Sequence, residues 1–202
     1  MFEKDISNTK DSILKTAARL FSEKGYDKVT IREIAQDVGI NPASLYYYFA
    51  SKEELLNSLY EMYRTELIRG YPNLDELLSM IETSPPIDVL EKATFNFDDD
   101  KIEMLNQIQI TAARRLGSDA ASEEFIRLNI FDSIRNMFEP LLKRMIELGK
   151  IEPFDIYTFI NVFSFYNFSA GVLTSTPFGH DLAEYYATMS WLYSVVLQVK
   201  DP

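Results

Sequence analysis

Residues 30–55 read TIREIAQDVGINPASLYYYFASKEEL, and almost every helix boundary in this stretch carries its own chemical signal. Thr30 with Glu33 forms T-x-x-E, a capping box that satisfies the exposed N–H groups opening a helix. Ile31, Ile34, Ala35 and Val38 then recur at helical spacing. Gly39 falls where the chain must turn sharply and positive φ costs least in a residue without Cβ. Asn41 is a good N-cap and Pro42 a good first helical residue. Ser51 with Glu54 repeats the capping box for the next helix. Agreement among independent local signals predicts two short helices, a tight turn between them and a longer helix beginning at Lys52.

The short helix from Pro42 to Phe49 has two unlike sides. Leu45 and Phe49 lie one turn apart and suit burial against Ile34, Ala35 and a preceding helix. Ala43, Ser44 and Tyr47 then fall on the opposite face, flanked by Tyr46 and Tyr48. Small residues at a helix N-terminus permit close approach to base edges. Tyrosine hydroxyls and the Lys52 ammonium can reach phosphates on either side. The alternative for the three tyrosines is packing on the fourth helix.

The run G-I-N-P-A-S-L-Y-Y-Y-F-x-S-K-E-x-L, preceded by T-x-x-x-I-A, resembles the helix-turn-helix signature of the TetR/AcrR family of transcriptional regulators, over about residues 10–56. The resemblance implies that Thr30, Tyr46, Tyr48 and Lys52 hold phosphates. It places Arg32, Pro42, Ala43, Ser44 and Tyr47 in or beside the major groove, and Asn41, the N-cap of the reading helix, is counted among the DNA-binding residues with them. Val38, Asn41, Ala43 and Tyr48 depart from residues frequent in the family, which leaves the DNA sequence open. Only Arg32 among the readers can make a bidentate guanine contact, so thymine methyl contacts and DNA shape are expected to supply the rest.

Outward from this stretch the chain reads as all-α. A first helix is expected over Thr9 to Lys24, stopped by Gly25, and a fourth from Lys52 to Arg69, ended by Gly70-Tyr71-Pro72. Further helices are expected at about 74–82, 86–94, 99–116, 122–148 with a bend near Pro140, 154–175 and 181–199. The expected fold class is all-α, an N-terminal three-helix helix-turn-helix head (1–50) joined through a long fourth helix to a helical body (51–202), which the resemblance implies serves ligand binding and dimerisation.

Composition bounds the function. The 202 residues carry a net charge of −11, which argues against nucleic acid until its distribution is considered. Residues 1–50 hold seven basic and seven acidic residues; residues 51–202 hold 13 basic and 24 acidic ones and account for the whole excess. A neutral head tolerates phosphates, and nonspecific binding should be weak and salt-sensitive. There is no cysteine, so disulfides, thiolate metal sites and cysteine nucleophiles are excluded, as a reducing cytoplasm would permit. The N-terminus has no apolar signal core. Residues 154–176 are long enough for a membrane span but carry Asp155, Asn161, Ser164, Asn167 and Ser169, which favours burial in protein.

With one histidine, no phosphate loop and no metalloprotease or serine-hydrolase motif, catalysis is not expected, and no cofactor or metal is implied. Asp98-Asp99-Asp100 reads as a helix start, and His180 as a cap or surface residue. Arg114 and Arg115 could pair with an acidic effector, though adjacent arginines more often face solvent or acidic neighbours.

Residues 154–193 hold 12 of the 27 aromatics. Core, dimer interface and ligand cavity compete for them. The family resemblance implies a homodimer through the helices at 154–175 and 181–199, gripping a pseudopalindromic double-stranded operator. It also implies a pocket for a small hydrophobic or aromatic effector, whose candidate contacts are Tyr63, Gln107, Thr111, Phe163, Tyr166 and Asn167. The alternative is a DNA-binding dimer whose body serves protein docking or dimerisation only.

Overall fold

The computed structural model describes residues 2–94, 99–173 and 182–196. Among them every regular element is helical: α1 Phe2–Lys24, a 3₁₀ turn Tyr26–Lys28, α2 Ile31–Val38, α3 Pro42–Tyr48, α4 Lys52–Gly70, α5 Leu74–Met80, α6 Pro86–Ala93, α7 Asp99–Ala113, α8 Ala120–Ile126, a π-helical turn Arg127–Asp132, α9 Ser133–Glu147, α10 Ile156–Leu173 and α11 Leu182–Val196. None is long and apolar enough to cross a membrane. Asp98, residues 174–181, which include His180, and residues 197–199 of the last expected helix lie outside the described residues.

The chain divides into two compact units, Met1–Glu66 with Asp98–Phe125, and Leu67–Phe97 with Ile126–Pro202. In the first, α1 packs along α7 and against α2. Its core gathers Ile13, Ala17, Leu20 and Phe21 with Ile34, Ala35, Leu45 and Phe49, each at most 2% exposed. In the second, α9 is packed by α5, α6 and α10, and α11 lies on α6. Phe138, Phe159, Phe163 and Tyr193 form its aromatic centre.

Three elements differ from their sequence expectation. The first helix starts at Phe2 rather than Thr9, because nothing in FEKDISN breaks a helix and Ser12 Oγ folds back onto Asn8 O at 2.9 Å. The helix expected over 99–116 stops at Ala113, and the chain turns through Gly117 at φ +79. The single helix expected over 122–148 is α8, the π-helical turn and α9. Its departure from α geometry lies at residues 127–132, while Pro140 sits inside α9. Proline there removes the partner of the Asn136 carbonyl, and Asn136 is exposed, so water can satisfy it.

Candidate nucleic-acid interface

Local hydrogen bonds set the two short helices. The Thr30 hydroxyl accepts from Glu33 N–H at 3.2 Å, and the Glu33 carboxylate is shared between Lys24 Nζ at 2.5 Å and the Thr30 backbone N–H. Gly39 takes φ +80, which lets Ile40 N–H donate to Ala35 O at 2.9 Å and closes α2. Asn41 Oδ1 accepts from Ala43 N–H at 2.9 Å, with Pro42 opening α3. The second box is complete in a shifted form. Ser51 Oγ accepts from Glu54 N–H at 3.0 Å, and Glu54 Oε2 accepts from Ala50 N–H at 2.6 Å.

These caps hold α3 by its buried Leu45 and turn its other side to solvent. Ala43 and Ser44 are exposed. Tyr46 and Tyr47 are 55% and 77% exposed, so neither is packed away on α4. Tyr48 is half-buried and meets Tyr47 edge to face at 5.4 Å. Pro42 is half-buried, and Thr30 and Asn41 are exposed while serving as caps. Arg32 is exposed on the first turn of α2, with no ion-pair partner among the described residues. Two other cations of the head are already matched: Arg19 pairs with Glu23 and Asp37, and Lys24 with Glu33.

Lys52 is placed differently from a plain phosphate-reaching lysine. Its Nζ donates to Tyr26 O at 2.9 Å and Val29 O at 3.0 Å. It also lies 4.2 Å from the Tyr26 ring centroid. Burial lowers its pKa below the ordinary lysine value. An ammonium has three N–H donors, and two are used here, which leaves one for an outside acceptor. The sequence could not show this, since the acceptors lie 26 and 23 residues earlier.

The six candidate effector contacts fall in different units. In the first, Tyr63 is buried with its hydroxyl donating to Gln109 Oε1 at 3.3 Å and its ring edge-on to Phe125. Burial pushes its phenol pKa up. Thr111 is 1% exposed and donates to Gln107 O, and the Gln107 side chain donates to Glu103. In the second unit Phe163 is core, 1% exposed. Asn167 donates to Phe163 O at 2.7 Å and accepts from the Tyr185 hydroxyl. Tyr166 stacks on Tyr185, and its own buried hydroxyl has no partner among the described residues, nor has Ser164 Oγ. A cleft of about 220 Å³ in this unit is lined by Glu91, Thr94, Met189, Ser190 and Tyr193, none of them a candidate.

A capped, two-helix hairpin that buries one side of its second helix and offers small and hydroxyl-bearing residues on the other defines a helix-turn-helix DNA-binding protein. The family model for "Bacterial regulatory proteins, tetR family" matches residues 13–59. The chain is 33% identical over 136 residues, 67% of each protein, to the biofilm operon icaADBC HTH-type negative transcriptional regulator IcaR of Staphylococcus aureus. It is 39% identical over 87 residues to the uncharacterized HTH-type transcriptional regulator YerO of Bacillus subtilis, 43% of this chain and 29% of that protein. Among solved structures, the ketosteroid transcriptional regulator KstR2 of Mycobacterium tuberculosis superposes with TM-score 0.67 and 24% identity over 95% of both chains. PfmR of Thermus thermophilus, a TetR family regulator, does so with TM-score 0.62 and 21% identity over 94% of this chain and 99% of that one. The chain belongs to the TetR family of transcriptional regulators. It is a regulator and not an enzyme.

Proposed function

We propose that this regulator is a cytoplasmic repressor that binds a pseudopalindromic operator as a homodimer and is released by a small hydrophobic effector. The observation that carries the DNA-binding part is the outward face of α3, where Ala43, Ser44 and Tyr47 stand clear of the core on a helix anchored by Leu45. Arg32 supplies the guanine contact, and Thr30, Tyr46, Tyr48 and Lys52 the phosphate contacts. Repression is carried over from IcaR, named a negative transcriptional regulator. Dimerisation through α10 and α11 is supported by large apolar side chains left in solvent there: Tyr157, Val162, Phe165 and Trp191. Two such subunits would present paired α3 helices to half-sites about one turn of DNA apart or more. An effector that favours a conformation with a different α3 separation would lower operator affinity.

The test is selection of bound duplexes from a random DNA pool, followed by Tyr47→Ala. With 77% exposure, Tyr47 contributes little to stability. The variant should keep the wild-type circular dichroism spectrum and lose operator affinity by about fivefold or more, a contact of roughly 1–3 kcal/mol. Unchanged affinity would remove the α3 reading.

The reading without an effector has its own support. Tyr63, Thr111 and Phe163 are buried among the described residues, with Tyr63 and Thr111 already hydrogen-bonded inside the protein. Thermal shift against a panel of hydrophobic compounds separates the two. A true effector raises the melting temperature and weakens DNA binding by linked amounts. A compound that stabilises the protein and leaves operator affinity alone contradicts the release mechanism.

A further inference from the structure

The Tyr26 ring is a meeting point for three segments of the first unit. Phe21 of α1 meets it edge-on at 5.1 Å. The Lys52 ammonium, at the first residue of α4, is 4.2 Å from its centroid. The Arg115 guanidinium carbon, in the turn after α7, is 4.1 Å from the same centroid. Two cations converging on one ring repel each other, so something must hold the second one in place. Asp119 does so from 3.2 Å at one Arg115 nitrogen, and Asp27 approaches another at 3.6 Å. The Nε of Arg115 is buried with no hydrogen-bond partner among the described residues, as expected if the guanidinium is oriented by the ring face and the acids together.

Asp119 is fixed in turn. It accepts from Ser122 N–H at 2.9 Å and from the Ser122 hydroxyl. Because that hydroxyl gives its single proton to the carboxylate, the Tyr60 hydroxyl, 2.7 Å from Ser122 Oγ, donates to it. Burial pushes the Tyr60 phenol up to about 12, so it keeps the proton it donates. Tyr60 stacks on Phe125 at 4.3 Å. The neighbouring Arg114 donates to Ser22 O of α1, tying the same turn down a second time. Arg115 therefore ends a braced chain of contacts that begins in the core of the unit and stops at the ring carrying Lys52.

We infer that Arg115 is a positioning residue for DNA binding: it holds Tyr26, and through Tyr26 the Lys52 ammonium and the start of α4, in the place from which Lys52 engages a phosphate. The inference rests on the proposed phosphate role of Lys52. Arg115 itself is turned inward, with 18% side-chain exposure, and acts without touching DNA. The α7–α8 turn thus sets how well the head binds, by geometry rather than by charge.

The experiment uses the full chain and a duplex selected by the wild type, titrated over a series of KCl concentrations. Arg115→Gln is expected to weaken binding about five- to thirty-fold, the scale of a partly buried cation–ring contact, and to lower the slope of log affinity against log salt by no more than Lys52→Ala does. Lys52→Ala is expected to weaken binding and lower that slope by about one, as loss of a direct phosphate contact does. The double variant should be no weaker than Lys52→Ala alone, because the arginine acts only through the lysine. Arg115→Lys, which keeps a cation over the ring, should recover part of the loss.

Wild-type affinity in Arg115→Gln overturns the inference. So does a slope that Arg115→Gln lowers further in the Lys52→Ala background, which would make Arg115 itself a phosphate ligand, or losses that simply add in the double variant. If Arg115→Gln fails to fold, Asp119→Asn replaces it; that variant leaves ring and cation present but unbraced, and wild-type binding there overturns the inference equally. If the wild type selects no duplex at all, the DNA-binding reading fails instead, an outcome distinct from all of these.

Discussion

Replacing Phe163 by alanine distinguishes a closed aromatic core from a cavity built for a ligand. Phe163 is 1% exposed. Its ring centroid lies 4.7 Å from Phe138, 6.0 Å from Phe159 and 5.9 Å from Tyr193. Truncating a phenylalanine in a closed core costs about 3–5 kcal/mol. Three ring neighbours, each pair contributing about 0.5–1.5 kcal/mol beyond area, place this site in the upper part of that range. With a urea m-value of about 2 kcal/mol/M, a loss of about 4 kcal/mol lowers the unfolding midpoint by about 2 M at unchanged m. Urea titration by far-UV circular dichroism measures it directly. A midpoint shift below about 0.5 M would mean that the ring borders open space in the wild type. The packed reading of α10 would then be wrong, and Phe163 would return as an effector contact.

At Gly39, φ is +80 and an added Cβ meets nothing within 4 Å, so the penalty for alanine is conformational alone. Gly39→Ala is expected to cost about 1–2 kcal/mol, which lowers the melting temperature by a few degrees; an unchanged melting temperature would show that the turn relaxes. Asp119 has its pKa held below the carboxylate value of 3.8, first by the Ser122 hydroxyl and then by Arg115. A depressed folded pKa gives stability that is complete above the unfolded value and disappears as pH falls through the folded one. Wild type should therefore exceed Asp119→Asn in stability at about pH 6, and the two acid-unfolding curves should converge below pH 3.8. A gap that persists undiminished at lower pH would assign the difference to packing.

What could be read from the sequence was local. Thr30, Gly39, Asn41, Ser51 and Glu54 act within four residues of themselves, so spacing alone revealed their roles, and the helical period exposed Leu45 and Phe49 as anchors. The ion pair of Glu33 with Lys24 was hidden because that partner lies on another helix. Lys52 was hidden for the same reason, its carbonyl acceptors belonging to the 3₁₀ turn and its exit. Arg115 does have the acidic neighbours that adjacent arginines suggest, yet nothing in the sequence places Tyr26 beneath it. Residue type points to the effector candidates, and type does not show that Tyr63 is buried with its hydroxyl held by Gln109.

The internal ion pairs of the head bear on how such a regulator is distributed in a cell. Arg19 and Lys24 are matched by Glu23, Asp37 and Glu33 before any DNA arrives. These two cations therefore add little to counterion release on a random duplex, and with the chain's net charge of −11 residence there is short. Little of the population would be stored along the chromosome. Most molecules would search through free solution, with small gains from sliding. Operator occupancy would then follow the number of copies almost in proportion, so the rate at which the cell makes this chain would itself be a control input.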